Sequence, residues 1–188
     1  MLDARAIAPE RLRPLLRSEY DRLVEWGVFD GERLELLEGA LVVMSPQHSP
    51  HAEVIGRLTE LFVEALGKRA RIRVQLPLAI SDDSEPEPDI AVVARRDYSK
   101  AHPRTAKLII EVADSSVRKD RTVKSSIYAR ASIPEYWLVN LVSKVVEVRT
   151  EPKGSRYTHV ERRTTGTLSP RAFTDIAVPV RWMLLLES

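Results

Sequence analysis

Hydrophobic positions along this chain change their period several times, and each change marks an element. Val54, Ile55, Leu58, Leu61, Phe62, Ala65 and Leu66 recur at helical spacing behind Ser49-Pro50. That predicts a helix with Ser49 as N-cap and Pro50 in its first position. Ile72, Val74 and Leu76 alternate with polar residues, as a half-buried strand does. Residues 89–93 are apolar after Asp89 and read as a central strand, and residues 107–113, around Glu111, read as another short apolar strand. A polar loop, residues 81–88, joins the first of these to the strand before it. Residues 33–44 predict a hairpin turning at Glu38-Gly39. Ser18 and Asp21 resemble a capping box for a short helix ending near Gly27. After Ser115-Ser116 a helix is expected to about residue 130. Residues 135–140 then form a strand that pairs with residues 144–150, and edge strands with an apolar C-terminal segment follow. On these strands Tyr136 and Trp137 read as one core and one surface residue.

The order of elements is that of an α/β fold with a mixed sheet flanked by helices. The chain has 188 residues and 44% hydrophobic content, which suits one domain over residues 18–188 behind an N-terminal arm, residues 1–17. It has no cysteine, which excludes thiol nucleophiles, zinc-finger ligation and disulfide frameworks. The first five residues lack an apolar signal-peptide core, and no apolar run is long enough for a membrane span. A cytoplasmic protein without a membrane partner is therefore expected.

Net charge is only +2, but residues 95–130 hold ten Lys/Arg against four Asp/Glu, or +6, leaving −4 for the remainder. Arg95, Arg96, Lys100, Arg104, Lys107, Arg118, Lys119 and Arg121 could face a polyanion, or be a solvated surface with its counterions.

Two acids stand where apolar strands would not place them. Asp89 follows Pro88 at the head of one strand, and Glu111 lies inside Leu108-Ile109-Ile110-Glu111-Val112. If the strands are neighbours, like charges ~4 Å apart at an effective dielectric of 20 repel by about 4 kcal/mol. A divalent cation with hard oxygen ligands, Mg²⁺ or Mn²⁺, would remove that conflict. Taken singly, Asp89 also suits a strand cap and Glu111 a buried ion pair with arginine. On the next helix, about 100° per residue puts Val117, Asp120, Lys124, Ile127 and Ala131 on one stripe. If that stripe packs on the sheet, Asp120 and Lys124 point inward beside Glu111. If it is rotated towards Val123, they are a surface i,i+4 pair.

Pro88-Asp89, Glu111-Val112, Asp120 with Lys124 and Tyr128, and residues 133–139 (Ile-Pro-Glu-Tyr-Trp-Leu-Val) together resemble the Uma2 family. Glu35-Leu-Leu-Glu-Gly39, Met44-Ser45-Pro46 and His51 resemble that family's first hairpin and helix. The resemblance spans roughly residues 33–150. It implies a restriction-endonuclease-like PD-(D/E)XK fold and a Mg²⁺-dependent (or Mn²⁺-dependent) phosphodiesterase acting on nucleic acid, with DNA as the expected substrate. In that reading Asp89, Glu111 and the Val112 carbonyl hold the metal, Glu35 is a third acid beside it, Lys124 is catalytic, and Asp120 positions Lys124. Arg95, Arg96, Lys100, Arg104, Arg118, Lys119 and Arg121 would bind flanking phosphates, and a homodimer is compatible with the fold. The sequence departs from the family in Asp114, an additional acid, and in Asn140-Leu141, where Asp-Pro is frequent. His51 falls near the site as a cap or surface histidine. Ser115 and Ser116 lack a histidine base, and no phosphate-cradling glycine motif is present. The rival classes are a non-catalytic nucleic-acid or protein-interaction module and a metal-dependent hydrolase of other phosphate esters.

Overall fold

A computed structural model of the chain describes residues 12–186. The elements run α1 (Arg17–Glu25), β1 (Leu34–Leu37), β2 (Ala40–Val43), α2 (Ser49–Leu66), β3 (Arg71–Val74), β4 (Ile90–Val93) and β5 (Leu108–Ala113). Then come α3 (Val117–Lys119), a π-helical turn (Asp120–Lys124), α4 (Ser125–Arg130), β6 (Glu135–Asn140), β7 (Val145–Lys153) and β8 (Arg156–Arg163). The chain ends in β9 (Thr167–Leu168), β10 (Val178–Pro179) and α5 (Val180–Leu184). Six strands form the central sheet in the order β3-β4-β5-β6-β7-β8. The β5–β6 pair is parallel and the other neighbours are antiparallel. The parallel pair requires a crossover, and the helical segment from Val117 to Arg130 supplies it.

Strand alternation assigns two cores to the two sheet faces. Ile110, Val112, Trp137 and Val139 pack against Val54, Leu58 and Phe62 of α2 and against α5. Ile109, Ala113, Tyr136 and Leu138 pack against Ile127, Tyr128 and Ala129 of α4. Both faces are covered, which corrects the expectation for Tyr136 and Trp137: neither is at the surface, and both are fully buried. A strand between two helical layers has no solvent face to give away.

The hairpin turns at Glu38-Gly39 as expected, with φ of 51° and 77°. A side chain at Gly39 would place its Cβ 2.2 Å from the Pro14 Cβ, so glycine is required twice there. The same close approach ties down the end of the expected N-terminal arm. Leu15 N–H donates to the Gly39 carbonyl (3.0 Å) and Arg17 N–H to that of Asp82 (2.7 Å). Residues 1–11 of that arm lie outside the described residues. Two caps differ from the reading of the sequence. α1 begins at Arg17, with Leu16 as N-cap, and the Glu19 carboxylate accepts the Leu16 N–H (2.9 Å) in the role expected of Asp21. α2 has His48 as N-cap, one residue earlier than Ser49.

The loop 81–88 is polar in composition yet largely buried. Glu85 bridges to Leu36, its N–H donating to the Leu36 carbonyl (2.8 Å), while the Ser84 hydroxyl accepts the Glu38 N–H (2.9 Å). The loop thus fastens β1 beside the start of β4. Burial, with Asp21 adding to it against the opposing charge of Arg17, pushes the Glu85 carboxyl up to about 7. A folded-state pKa above the unfolded one favours the protonated native form. That part of the stability is therefore complete below about pH 4.5 and is lost as pH rises through about 7. Glu85→Gln is expected to flatten urea stability between these pH values and to exceed wild type at pH 8. A parallel pair of pH profiles for the two proteins would refute this.

Candidate active site

The site is made where β4 begins and β5 ends, because the antiparallel β4–β5 pair brings the residue before Ile90 next to Glu111 and Val112. Asp89 Oδ2 accepts the Val112 N–H at 2.8 Å, and Asp89 N–H lies 3.4 Å from Glu111 Oε2. Asp89 is thus tied to the residue after Glu111, and Glu111 to the backbone of Asp89. Glu111 sits on the face covered by α4. Its Oε1 accepts from Lys124 Nζ at 3.0 Å and from the Tyr128 hydroxyl at 2.6 Å. Lys124 also pairs with Glu35 Oε2 at 2.9 Å, and Lys119 Nζ reaches Glu35 Oε1 at 2.6 Å.

The π-helical turn explains how this lysine turns inward. Ser125 N–H bonds to the Asp120 carbonyl, five residues back, so the turn holds an extra residue and carries both Lys124 and Ser125 to the buried side. Such turns recur at functional sites. Asp120 is buried as expected, but the ion pairs of Lys124 are with Glu35 and Glu111. Asp120 instead accepts the Ser116 hydroxyl, and its carbonyl accepts the Tyr136 hydroxyl at 3.1 Å.

These groups line a cavity of about 60 Å³ shared by His51, Asp89, Glu111, Val112, Lys119 and Lys124. About 10–15 Å³ on this measure holds one water, so the space suits a few waters or a hydrated ion. Glu35 stands outside that lining with its oxygens engaged by the two lysines. Asp114 and Arg33 also border the cavity.

Electrostatically the site has a surplus of acid. Glu35, Asp89, Glu111 and Asp120 are buried, while Lys124 is the one buried ammonium among the described residues. Burial would make Lys124 release its proton, but Glu111, Glu35 and Asp120 outweigh it and raise its pKa, so it stays charged. Burial likewise opposes ionisation of Glu35, yet Lys124 and Lys119 prevail and hold its carboxyl below the ordinary value. Asp89 is also depressed, its burial outweighed by His51 and the Val112 N–H. Glu111 goes the other way: burial, reinforced by Asp120, Asp89 and Glu35 against the pull of Lys124, raises its pKa. A divalent cation would relieve that surplus. Among the described residues no three His, Asp or Glu side chains converge as a ready cage. The donor set is Asp89 and Glu111 with Val112 alongside, which fits a cation that keeps several of its waters.

Two further residues hold Asp89: His51, expected near the site only as a cap or surface histidine, and Gln75, which no motif singled out. His51 Nε2 lies 3.2 Å from Asp89 Oδ2, a placement decided by how α2 docks. Gln75 donates to Asp89 Oδ1 at 3.2 Å from a backbone with φ of 50°, outside the strand pattern that predicted an ordinary polar residue. Asn140, in place of the family's frequent Asp, accepts the N–H groups of Val142 and Ser143 and closes the turn after β6.

The basic residues do not form one surface. Arg95 and Arg96 directly follow β4, at the end of the sheet away from Asp89, while Lys100 and Arg104 lie further along the connection to β5. Arg95 bonds the Gly67 carbonyl and Arg96 stacks on Tyr98, whereas Arg104 approaches Asp82 in the loop 81–88 beside the start of β4. Lys107 lies over Phe173. Arg118, Lys119 and Arg121 sit on the helical segment above Glu111, and Lys119 borders the cavity.

Sheet order, the parallel β5–β6 pair and the helical crossover between them make this a restriction-endonuclease-like α/β protein. A crystal structure at 1.96 Å of "a putative nuclease belonging to DUF820" from Anabaena variabilis shares the fold. Its TM-score is 0.73 at 14% sequence identity, over 92% of this chain and 99% of that one. The chain belongs to the Uma2 family, described as "Putative restriction endonuclease", whose pattern matches residues 17–181. No curated protein matches the chain. Among the described residues no helix is long and apolar enough to cross a membrane.

Proposed function

We propose that the protein is a metal-dependent nuclease that hydrolyses phosphodiester bonds of nucleic acid, with DNA as substrate. The observation that carries this is the meeting of Asp89, Glu111 and Lys124 around one small polar cavity, although 35 positions separate the first from the last. Asp89, Glu111 and the Val112 carbonyl would hold Mg²⁺ or Mn²⁺. When bound, such a cation polarises a phosphate oxygen and lowers the pKa of an attacking water.

The protein's own groups do the remainder. The Lys124 ammonium, kept charged by Glu35 and Glu111, offsets negative charge gathering on the phosphate. Glu35 acts by fixing Lys119 and Lys124 in place. Asp120 anchors the turn that carries Lys124 and adds to the field that keeps it protonated. His51 and Gln75 hold the Asp89 carboxylate in one orientation. Lys119 and Arg33 stand beside the cavity where an approaching phosphate would meet them.

Purified protein is expected to nick supercoiled plasmid with Mg²⁺ or Mn²⁺, to stop when EDTA is added, and to lose the activity in Glu111→Gln. Equal nicking by wild type and Glu111→Gln would identify a contaminant. Salt-sensitive DNA binding without nicking under any divalent cation would instead favour a binding module on this fold.

A further inference from the structure

The row of the sheet that carries Glu111 leads to a second charged cluster. Glu111 stands opposite Leu138, Leu138 opposite Glu147, and Glu147 opposite Arg162. Partners in register share a face, so Glu147 lies on the α4 side, two strand spacings or about 10 Å from Glu111. Glu147 is 1% exposed and three guanidinium groups surround it. Arg149 Nη2 lies 2.6 Å from its carboxylate, Arg121 Nη2 2.7 Å and Arg162 Nη2 3.5 Å. One carboxylate against three arginines leaves a local surplus of two positive charges.

The three arginines differ in how firmly they are held. Arg149, with its side chain 13% exposed, also donates to the Ser125 hydroxyl (3.1 Å) and the Arg121 carbonyl (3.4 Å). It is locked under the π-helical turn. The side chains of Arg121 and Arg162 are 37% and 69% exposed, so donors on both remain open to solvent. Each guanidinium carries five N–H donors, more than a shared carboxylate can accept. Burial opposes ionisation of Glu147, but Arg121 and Arg149 hold its pKa below the ordinary value, so the anchor stays charged at neutral pH.

Placement relative to the cavity gives the cluster its meaning. Lys119 and Lys124 reach from the helical segment to β1 and β5, whereas Arg121 reaches from the same segment to β7. Arg118, next to Lys119 in the chain, lies exposed on α3. A nucleic-acid strand leaving the cavity across this turn would meet basic side chains throughout. Phosphates of one strand succeed each other every 3.4 Å or so along the helix axis, so ~10 Å amounts to about three nucleotides.

We propose that Arg121, Arg149 and Arg162, oriented by Glu147, form a subsite for a backbone phosphate flanking the bond to be cut. The proposal rests on the nuclease reading of the cavity. Arginine suits the task because its planar fork meets a phosphate with two parallel hydrogen bonds. Arg149 and Glu147 supply a fixed floor, and Arg121 and Arg162 close on the ligand from either side.

The test is binding of a short fluorescein-labelled DNA duplex by the full chain in EDTA, followed by anisotropy across a salt series. Arg121→Gln and Arg162→Gln are each expected to weaken affinity about 3- to 10-fold and to reduce the log–log salt slope by about 0.9. Lys68→Gln, exposed beyond α2, should change neither. Arg162 is largely exposed, so its replacement keeps the fold intact, and unfolding midpoints of all variants verify this. Affinity and salt slope unchanged in both arginine variants would overturn the proposal and leave the cluster as a clamp between β7 and β8. Wild type that does not bind the duplex would overturn it as well. Plasmid nicking with Mg²⁺ separates the two ideas: weakened binding without nicking by wild type retains the phosphate subsite and rejects the nuclease. Nicking with unaltered binding rejects the subsite alone.

Discussion

Lys124→Met is expected to lower the unfolding free energy by about 3–5 kcal/mol at pH 8 in metal-free buffer, because it removes one partner from a buried network and strands the others. Methionine fills much the same volume, so a packing defect contributes little. The loss is electrostatic. Glu35, with no exposed surface, keeps Lys119 but loses its buried partner Lys124, and Glu111 keeps only the Tyr128 hydroxyl on Oε1. Without the ammonium both carboxyls hold protons more tightly than in the unfolded chain. Such a penalty is absent below the unfolded carboxyl pKa and grows as pH rises above it. Urea unfolding at pH 4 and pH 8 should therefore show a small deficit at the lower pH and the full deficit at the higher. Adding Glu35→Gln to Lys124→Met should recover part of the loss, a non-additivity expected of residues sharing one network. A deficit below ~1 kcal/mol at both pH values would mean that Lys124 is not the buried counter-ion described here.

Asp89→Asn is expected to reduce plasmid nicking by about 100-fold or more. Lewis-acid assistance contributes several kcal/mol to such reactions, and each ~1.4 kcal/mol is tenfold in rate. Asparagine preserves the shape and can still accept the Val112 N–H that Asp89 binds at 2.8 Å. It loses the charge that would attract a divalent cation and that now faces His51. The buried Val112 N–H keeps its partner, but Gln75 and His51 no longer face a carboxylate, so stability should fall by only about 1–2 kcal/mol. Titration with Mn²⁺ should show weaker binding in the variant. Full nicking activity in a well-folded Asp89→Asn protein would remove this cavity from consideration as the catalytic centre.

How much of this was visible in the sequence depends on the range of the interactions involved. The Glu38-Gly39 turn, helix α2 and the strands β3 to β7 follow from local pattern: backbone φ at the turn, helical spacing in α2 and apolar runs in the strands. Asp89 and Glu111 were conspicuous because a carboxylate on an apolar strand needs a partner. The inward turn of Lys124 was one of two readings. Ideal helical periodicity could not choose between them, since the π-helical turn that settles it breaks that periodicity. Caps shifted by a residue because several nearby side chains could satisfy the same N–H groups, and neighbouring loops decided among them.

Other features had no local signature. His51 and Gln75 meet Asp89 from separate elements, and Arg121, Arg149 and Arg162 gather on Glu147 from a helix and two strands. The cluster of positive charge between residues 95 and 130 looked continuous, yet β4 and β5 run in opposite directions and separate Arg95 and Arg96 from Arg118, Lys119 and Arg121. By itself the sequence determined which segments become strands and helices and which acids stand out of place, because those depend on neighbours within a few residues. Only the tertiary structure decided which charges share a cavity: strand order and helix docking set the distances between side chains, and Coulomb and hydrogen-bond energies depend on those distances.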